Sequence, residues 1–182
     1  HGLDSHAWDG DQPDIARAYV KAGFHVLAFD LRGHGRSGSH RLGLGWDERR
    51  DVRAAVNLLL ERGFKPGRIG IHGTSYGAAV ALLAAAAIPE IGAVVADSAF
   101  ADMRDIMDRE IHRRTGVPSW MIRLFLRPGI AVVARLLHGL DLEAIPPERA
   151  VPTMAPRPIL FIHGGEDRTI PVEHALRLKA AS

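Results

Sequence analysis

The sequence predicts an α/β fold: a doubly wound, mostly parallel sheet covered by helices, with a helical insertion before its last strand. Two observations carry this reading. Four apolar runs, residues 24–30, 68–73, 91–97 and 157–163, lack in–out alternation, the pattern of strands buried on both faces. Between them lie segments with apolar residues three and four positions apart, so strand and helix signals alternate along the chain.

Taken in order, residues 12–22 carry Ile15, Ala18, Tyr19 and Ala22 on one helical face. Gly23 then leads into the first apolar run, Phe24 to Asp30, expected to be a buried strand. Residues 47–62 predict a second helix, with Val52, Ala55, Val56, Leu59 and Leu60 on its inner face. Asp47 and Glu48 stand in its first turn and Gly63 follows its end, which suits the helix dipole and the C-terminal stop. Pro66-Gly67 opens the second run, Arg68 to Gly73, and residues 76–87 are small and apolar, as in a helix packed closely on a sheet. Ile91 to Asp97 is the third run and Arg157 to His163 the fourth. Residues 101–150 break the alternation: a charged stretch is followed by Trp120 to Leu126, Pro128-Gly129 and an apolar helix ending near Leu140. This is too long for a plain connection and reads as a helical cap.

Composition narrows the class. A chain of 182 residues fits one domain. With 23 Lys and Arg against 21 Asp and Glu, and Arg spread along the chain, no basic patch argues for nucleic acid. There is no cysteine, which excludes disulfides, thiolate metal sites and a cysteine nucleophile. No run of about 18 charge-free apolar residues is present, so no membrane-spanning helix is expected. No leader is visible and the cytoplasm is the expected compartment. No histidine pair has the spacing of helical metal ligands, so no metal is assigned. The sequence carries no signal for oligomeric state.

The sharpest chemical signal is Gly73-Thr74-Ser75-Tyr76-Gly77, at the end of one strand and the start of a small-residue helix. A serine nucleophile at such a bend adopts a strained backbone that lifts its hydroxyl off the sheet. Residues two before and two after must then be small, and both are glycine. The bland alternative is a glycine-rich turn with a capping serine. A serine needs a base, an orienting acid and an oxyanion site. The backbone N–H of Tyr76, at the helix start, is one expected oxyanion donor; His1-Gly2-Leu3 supplies the candidate for the second, the N–H of Leu3. Asp167, in the turn Gly164 to Thr169 after the last strand, is the expected acid, with Asp97 at the end of the preceding strand as rival. The base should follow Asp167 after a further strand. His174 is the only histidine beyond Asp167 and falls within a helix, where a surface position is expected. Asp30-Leu31-Arg32-Gly33-His34-Gly35-Arg36-Ser37-Gly38 is glycine-rich but lacks a Gly-Lys-Ser/Thr ending, so it reads as a rigid turn beneath the site rather than a phosphate loop.

Together, His1-Gly2, Phe29 to Gly38, Gly73 to Gly77 and His163 to Pro171 resemble the α/β-hydrolase superfamily, in its order and across nearly the whole chain. Within it the chain is most similar to bacterial esterase-like hydrolases of the serine aminopeptidase or fermentation-respiration-switch type, in which a Glu and an Asp open the helix before the nucleophile strand, as Glu48 and Asp51 do here. The resemblance implies a Ser-His-Asp triad, no cofactor, and a small-molecule ester, thioester or amide substrate. It carries Ser75 and Asp167 over as catalytic, and Leu3 and Tyr76 as oxyanion donors. It carries over no histidine, since none stands at the matching place. Residues 1–182 are therefore expected to be a partial domain, with strands before residue 1 and after residue 182, and nearly inactive alone. Carboxylic ester hydrolysis is the leading expectation. A peptidase of the same fold and a non-catalytic binding protein are the alternatives.

Overall fold

The computed structural model describes residues 1–38, 42–139, 141 and 146–182. Helix α1 (Gln12–Lys21) and helix α2 (Arg49–Glu61) precede strand β1 (Ile69–Thr74). Helix α3 (Tyr76–Ala87) crosses to strand β2 (Ile91–Asp97). The sheet is parallel in the order β1-β2-β3, where β3 is Ile159–Ile162, and Thr74, Asp97 and Ile162 end side by side. Helix α3 is buried along Tyr76 to Ala85. It lies on β1 and β2, with α2 and residues 147–154 against its other sides. Its alanines permit that close approach on several faces at once.

One expectation needs correction. Phe24 to Asp30 pairs with no strand among the described residues, and Phe24, Val26 and Leu27 are exposed. A ladder requires a neighbour about 4.8 Å away. Here a cavity of about 870 Å³ is lined by both residues 23–29 and residues 67–73, so the run and β1 stand apart. The apolar pattern encodes a preference for burial; it does not supply the partner.

The insertion is helical. Helix α4 (Met103–Thr115) is capped by Asp102, whose carboxylate accepts the Arg104 N–H at 2.9 Å. Helix α5 (Ser119–Met121) runs through a π-helical turn (Ile122–Leu126) into helix α6 (Arg127–His138). Pro128 has no N–H for the carbonyl four residues earlier, which coincides with this widened turn. Leu140, where the sequence places the helix end, lies outside the described residues, as does part of the 101–150 insertion. Ion pairs hold the insertion's base: Arg127 to Asp108 at 2.6 Å, and Arg177 to Asp105 at 2.7 Å. Helix α7 (Pro147–Ala150) and a 3₁₀ turn (Val151–Met154) then return the chain to the core, where Ala150, Val151 and Met154 are buried. Helix α8 (Glu173–Ala181) follows β3. Among the described residues no helix is long and apolar enough to cross a membrane.

Helix α8 carries a second correction. His174, expected on the surface, is only 7% exposed, because it shares the inward face with Leu178 four residues on. Its Nδ1 accepts the N–H of Ala101 at 3.2 Å, tying the insertion's start to α8. Burial and then the Arg177 guanidinium favour the neutral ring and hold its pKa below the ordinary value, against Asp105 and Asp102; the nearby His163 adds to the lowering. The folded pKa thus lies below the unfolded one, and between the two the unfolded chain binds more protons. The stabilisation is complete above about pH 6.5 and is lost as pH falls through the folded pKa. His72, lowered chiefly by burial, acts in the same sense. Thermal denaturation should therefore show Tm falling on the acid side, with a shallower fall in His174→Gln. An unchanged profile in that variant would remove His174 as a source.

Candidate active site

The bend between β1 and α3 sets the geometry. Ser75 has φ 55° and ψ −118°, a conformation that costs a non-glycine residue about 1–3 kcal/mol. It persists because both sides are held. The Ser75 N–H donates to the Asp97 carbonyl at 2.8 Å, and the Ser75 carbonyl accepts from Ala78 and Ala79. Strand and helix meet too closely for side chains at the flanking positions. A Cβ on Gly73 would lie 2.2 Å from the Gly77 carbonyl oxygen, and one on Gly77 would lie 2.5 Å from the His1 carbonyl oxygen. Gly73→Ala should therefore cost about 3 kcal/mol or more, since the obstruction is the Gly77–Ala78 backbone, which has no flexible end to move. Urea denaturation checks this; a loss under 1 kcal/mol would mean the bend relaxes easily.

His1-Gly2-Leu3 passes over this bend. The Gly77 N–H donates to the His1 carbonyl at 3.0 Å, and a Cβ on Gly2 would be 3.6 Å from Ser75 Cβ. The His1 ring locks the segment: its Nε2 accepts the Leu31 N–H at 3.0 Å, so its Nδ1 carries the proton and donates to the Gly2 carbonyl at 3.0 Å. No hydrogen bond among the described residues occupies the N–H of Leu3 or of Tyr76. The Tyr76 N–H opens α3, where the first turn has no internal acceptor and the dipole favours negative charge.

The glycine-rich segment after Phe29 is a rigid turn, as the sequence suggests. Asp30 Oδ1 accepts the Ala7 N–H at 2.7 Å and Oδ2 the Arg36 N–H at 2.8 Å. Burial opposes its ionisation, but those two donors together with the charges of His6 and Arg36 lower its pKa. Arg32 grips Asp51 with its side chain and its N–H, joining this turn to α2.

Asp167 stands in the turn beyond β3. Its Oδ1 accepts the N–H groups of Thr169 and Ile170 at 2.8 and 2.9 Å. Its Oδ2 lies 3.8 Å from His163 Nε2, which itself donates to the Ile170 carbonyl at 2.7 Å. One carboxylate oxygen thus holds the turn, while the other keeps capacity for a further donor. Glu166 beside it is exposed. Ser75 and Asp167 follow strands two positions apart in the sheet, a separation of about 10 Å at ordinary strand spacing. The rival, Asp97, ends the strand between them, with its carboxylate 3.1 Å from Ser98 Oγ.

The sequence reading placed Glu48 at the head of α2 without anticipating what it does. It precedes the helix and is fully buried, with its carboxylate on the N–H groups of Gly43 and Gly45. The signal was available: Glu48, Val52 and Val56 are four apart and share one face. His34 is likewise buried, between the rings of His1 and Tyr76.

A parallel α/β sheet with a strained serine at a strand-to-helix bend, roofed by a backbone segment with free N–H groups, is the architecture of an α/β hydrolase. The chain belongs to the alpha/beta hydrolase family, whose match spans residues 1–182. It is 35% identical over 162 residues to the uncharacterized protein YqkD of Bacillus subtilis, covering 88% of this chain and 52% of that one. It is 29% identical over 158 residues to the uncharacterized protein YfhR of Escherichia coli K12, covering 85% of this chain and 47% of that one. The chain thus spans about half the length of these curated relatives. Among solved structures it resembles the Pyrococcus furiosus esterase Pf2001, with a TM-score of 0.73 and 26% identity over all of this chain and 65% of that one. It also resembles the esterase domain of a Rhodothermus marinus protein, with a TM-score of 0.60 and 28% identity over 93% of this chain and 63% of that one.

Proposed function

We propose that the protein carrying this chain is a serine hydrolase that cleaves carboxylic esters through an acyl-enzyme on Ser75. The observation that carries the proposal is the Ser75 backbone, held at positive φ between two glycines whose replacement would clash with main chain. Strain of this kind is maintained where it serves to present a side chain. The esterase structures similar to this chain support the substrate class.

In this reading Ser75 Oγ attacks the ester carbonyl as a histidine takes its proton. The N–H groups of Leu3 and Tyr76 hold the oxyanion, the alcohol leaves with the proton, and water releases the acid. Asp167 orients the histidine with its open oxygen. The histidines around the site are committed elsewhere: His1 to Leu31 and Gly2, His34 to Arg32, His163 to Ile170, and His174 to Ala101. This reading therefore takes none of these four as the base.

The insertion supports an apolar substrate. Ile122 is buried, but Trp120 and Phe125 are 63% and 65% exposed, and Val132 is exposed as well. Packing onto the core does not account for these three, and an acyl or alkyl group is a fitting occupant. The test is labelling of the intact natural protein by a fluorophosphonate, alongside hydrolysis of p-nitrophenyl esters and aminoacyl amides. Ester turnover with Ser75-dependent labelling is expected. Amide turnover without ester turnover would make it a peptidase; neither turnover nor labelling would leave a binding protein on this fold.

A further inference from the structure

We propose that Glu48 is a positioning residue that sets the oxyanion donor at Tyr76 from beneath; the proposal rests on the serine-hydrolase reading of Ser75. Its carboxylate is fully buried and accepts from main-chain N–H groups. Oε1 accepts the Gly43 N–H at 2.7 Å, and Oε2 accepts the Gly45 N–H at 2.9 Å. The Gly45 N–H also lies 2.9 Å from the Tyr76 hydroxyl oxygen, so the carboxylate and the phenol meet at one donor. Burial and then the adjacent Glu48 push the Tyr76 phenol strongly up, so the hydroxyl keeps its proton.

These contacts fix the far end of the very residue whose N–H faces the proposed oxyanion. The ring of Tyr76 is buried, and its flank meets His34, with ring centroids 6.1 Å apart. His34 in turn meets His1 at 5.0 Å. Glu48, Tyr76, His34 and His1 thus form one packed column that ends in the segment bearing the second donor, Leu3. The loop that closes on Glu48 is pressed onto α3: Gly45 has φ +90°, and a Cβ there would lie 3.0 Å from Leu83 Cδ1. Burying a carboxylate is costly, and an apolar residue would fill the space as well. What an apolar residue would not supply is a fixed acceptor for a loop that presents two N–H groups and lays one of them against the Tyr76 hydroxyl.

Donor placement matters because removing one oxyanion donor costs about a hundred- to a thousandfold in kcat. A displaced donor should cost about tenfold. Glu48→Gln tests this in the intact natural protein, since a side-chain NH₂ must then face a glycine N–H. Its kcat on a p-nitrophenyl ester should fall about tenfold or more with KM little changed. Tyr76→Phe, which removes only the hydroxyl, should lower kcat in the same way, and adding it to Glu48→Gln should lower kcat little further. Val151→Ala, a core truncation at a residue outside the column, controls for stability. The proposal is overturned if folded Glu48→Gln and Tyr76→Phe keep kcat within twofold, or if Val151→Ala at equal Tm loss lowers kcat equally. It is also overturned if Glu48→Gln does not fold and Tyr76→Phe turns over at the wild-type rate. Wild-type turnover that survives Ser75→Ala would instead sink the serine-hydrolase reading itself.

Discussion

Ser75→Ala should abolish fluorophosphonate labelling and lower kcat on p-nitrophenyl esters by about a millionfold, leaving only what the oxyanion site gives a water attack. The size follows from the role. Without Oγ no acyl-enzyme forms, and the base has nothing to deprotonate. The fold should survive, because the bonds that hold the bend are main-chain: Ser75 N–H to Asp97 and Ser75 carbonyl to Ala78 and Ala79. A companion exchange separates chemistry from strain. Ser75→Gly is equally inactive, but a glycine adopts φ 55° freely, so it should be more stable than Ser75→Ala by about 1 kcal/mol. Retained labelling in Ser75→Ala would place the nucleophile elsewhere.

Asp167→Asn should lower kcat by about four orders of magnitude while Tm moves little. The asparagine oxygen can still accept from Thr169 and Ile170, which preserves the turn. Its NH₂ then stands where Oδ2 stood, a donor facing the imidazole N–H it must orient. The same exchange at Asp97 should cost far less. Its carbonyl holds the Ser75 N–H through main chain, which the side-chain change leaves alone. A reversed order of the two effects, measured on one ester at saturation, would make Asp97 the acid.

Much of this was legible from residue order. Helix α3 was predicted over 76–87 and forms over those residues, because a run of alanines flanked by glycine suits only a helix pressed on a sheet. β2 likewise forms over 91–97 as predicted, and β1 lies within its predicted run apart from Thr74. Ser75 sits at a bend for a reason written locally: two glycines around a strained residue. The sequence predicts a strand over Phe24 to Asp30, and the segment joins no ladder among the described residues. Its apolar residues speak for burial, and pairing depends on what lies within hydrogen-bond reach.

The sequence by itself determined the strand and helix alternation, the bend at Ser75, and the turn that carries Asp167, since each depends on residues within a few positions. Tertiary structure alone decided that His174 turns inward to Ala101, that Glu48 lies beneath Tyr76, and that β1, β2 and β3 end together. Those facts join residues up to 73 positions apart. Local propensity does not encode such contacts; they follow from packing a small-residue helix against the sheet and closing every buried polar group around it.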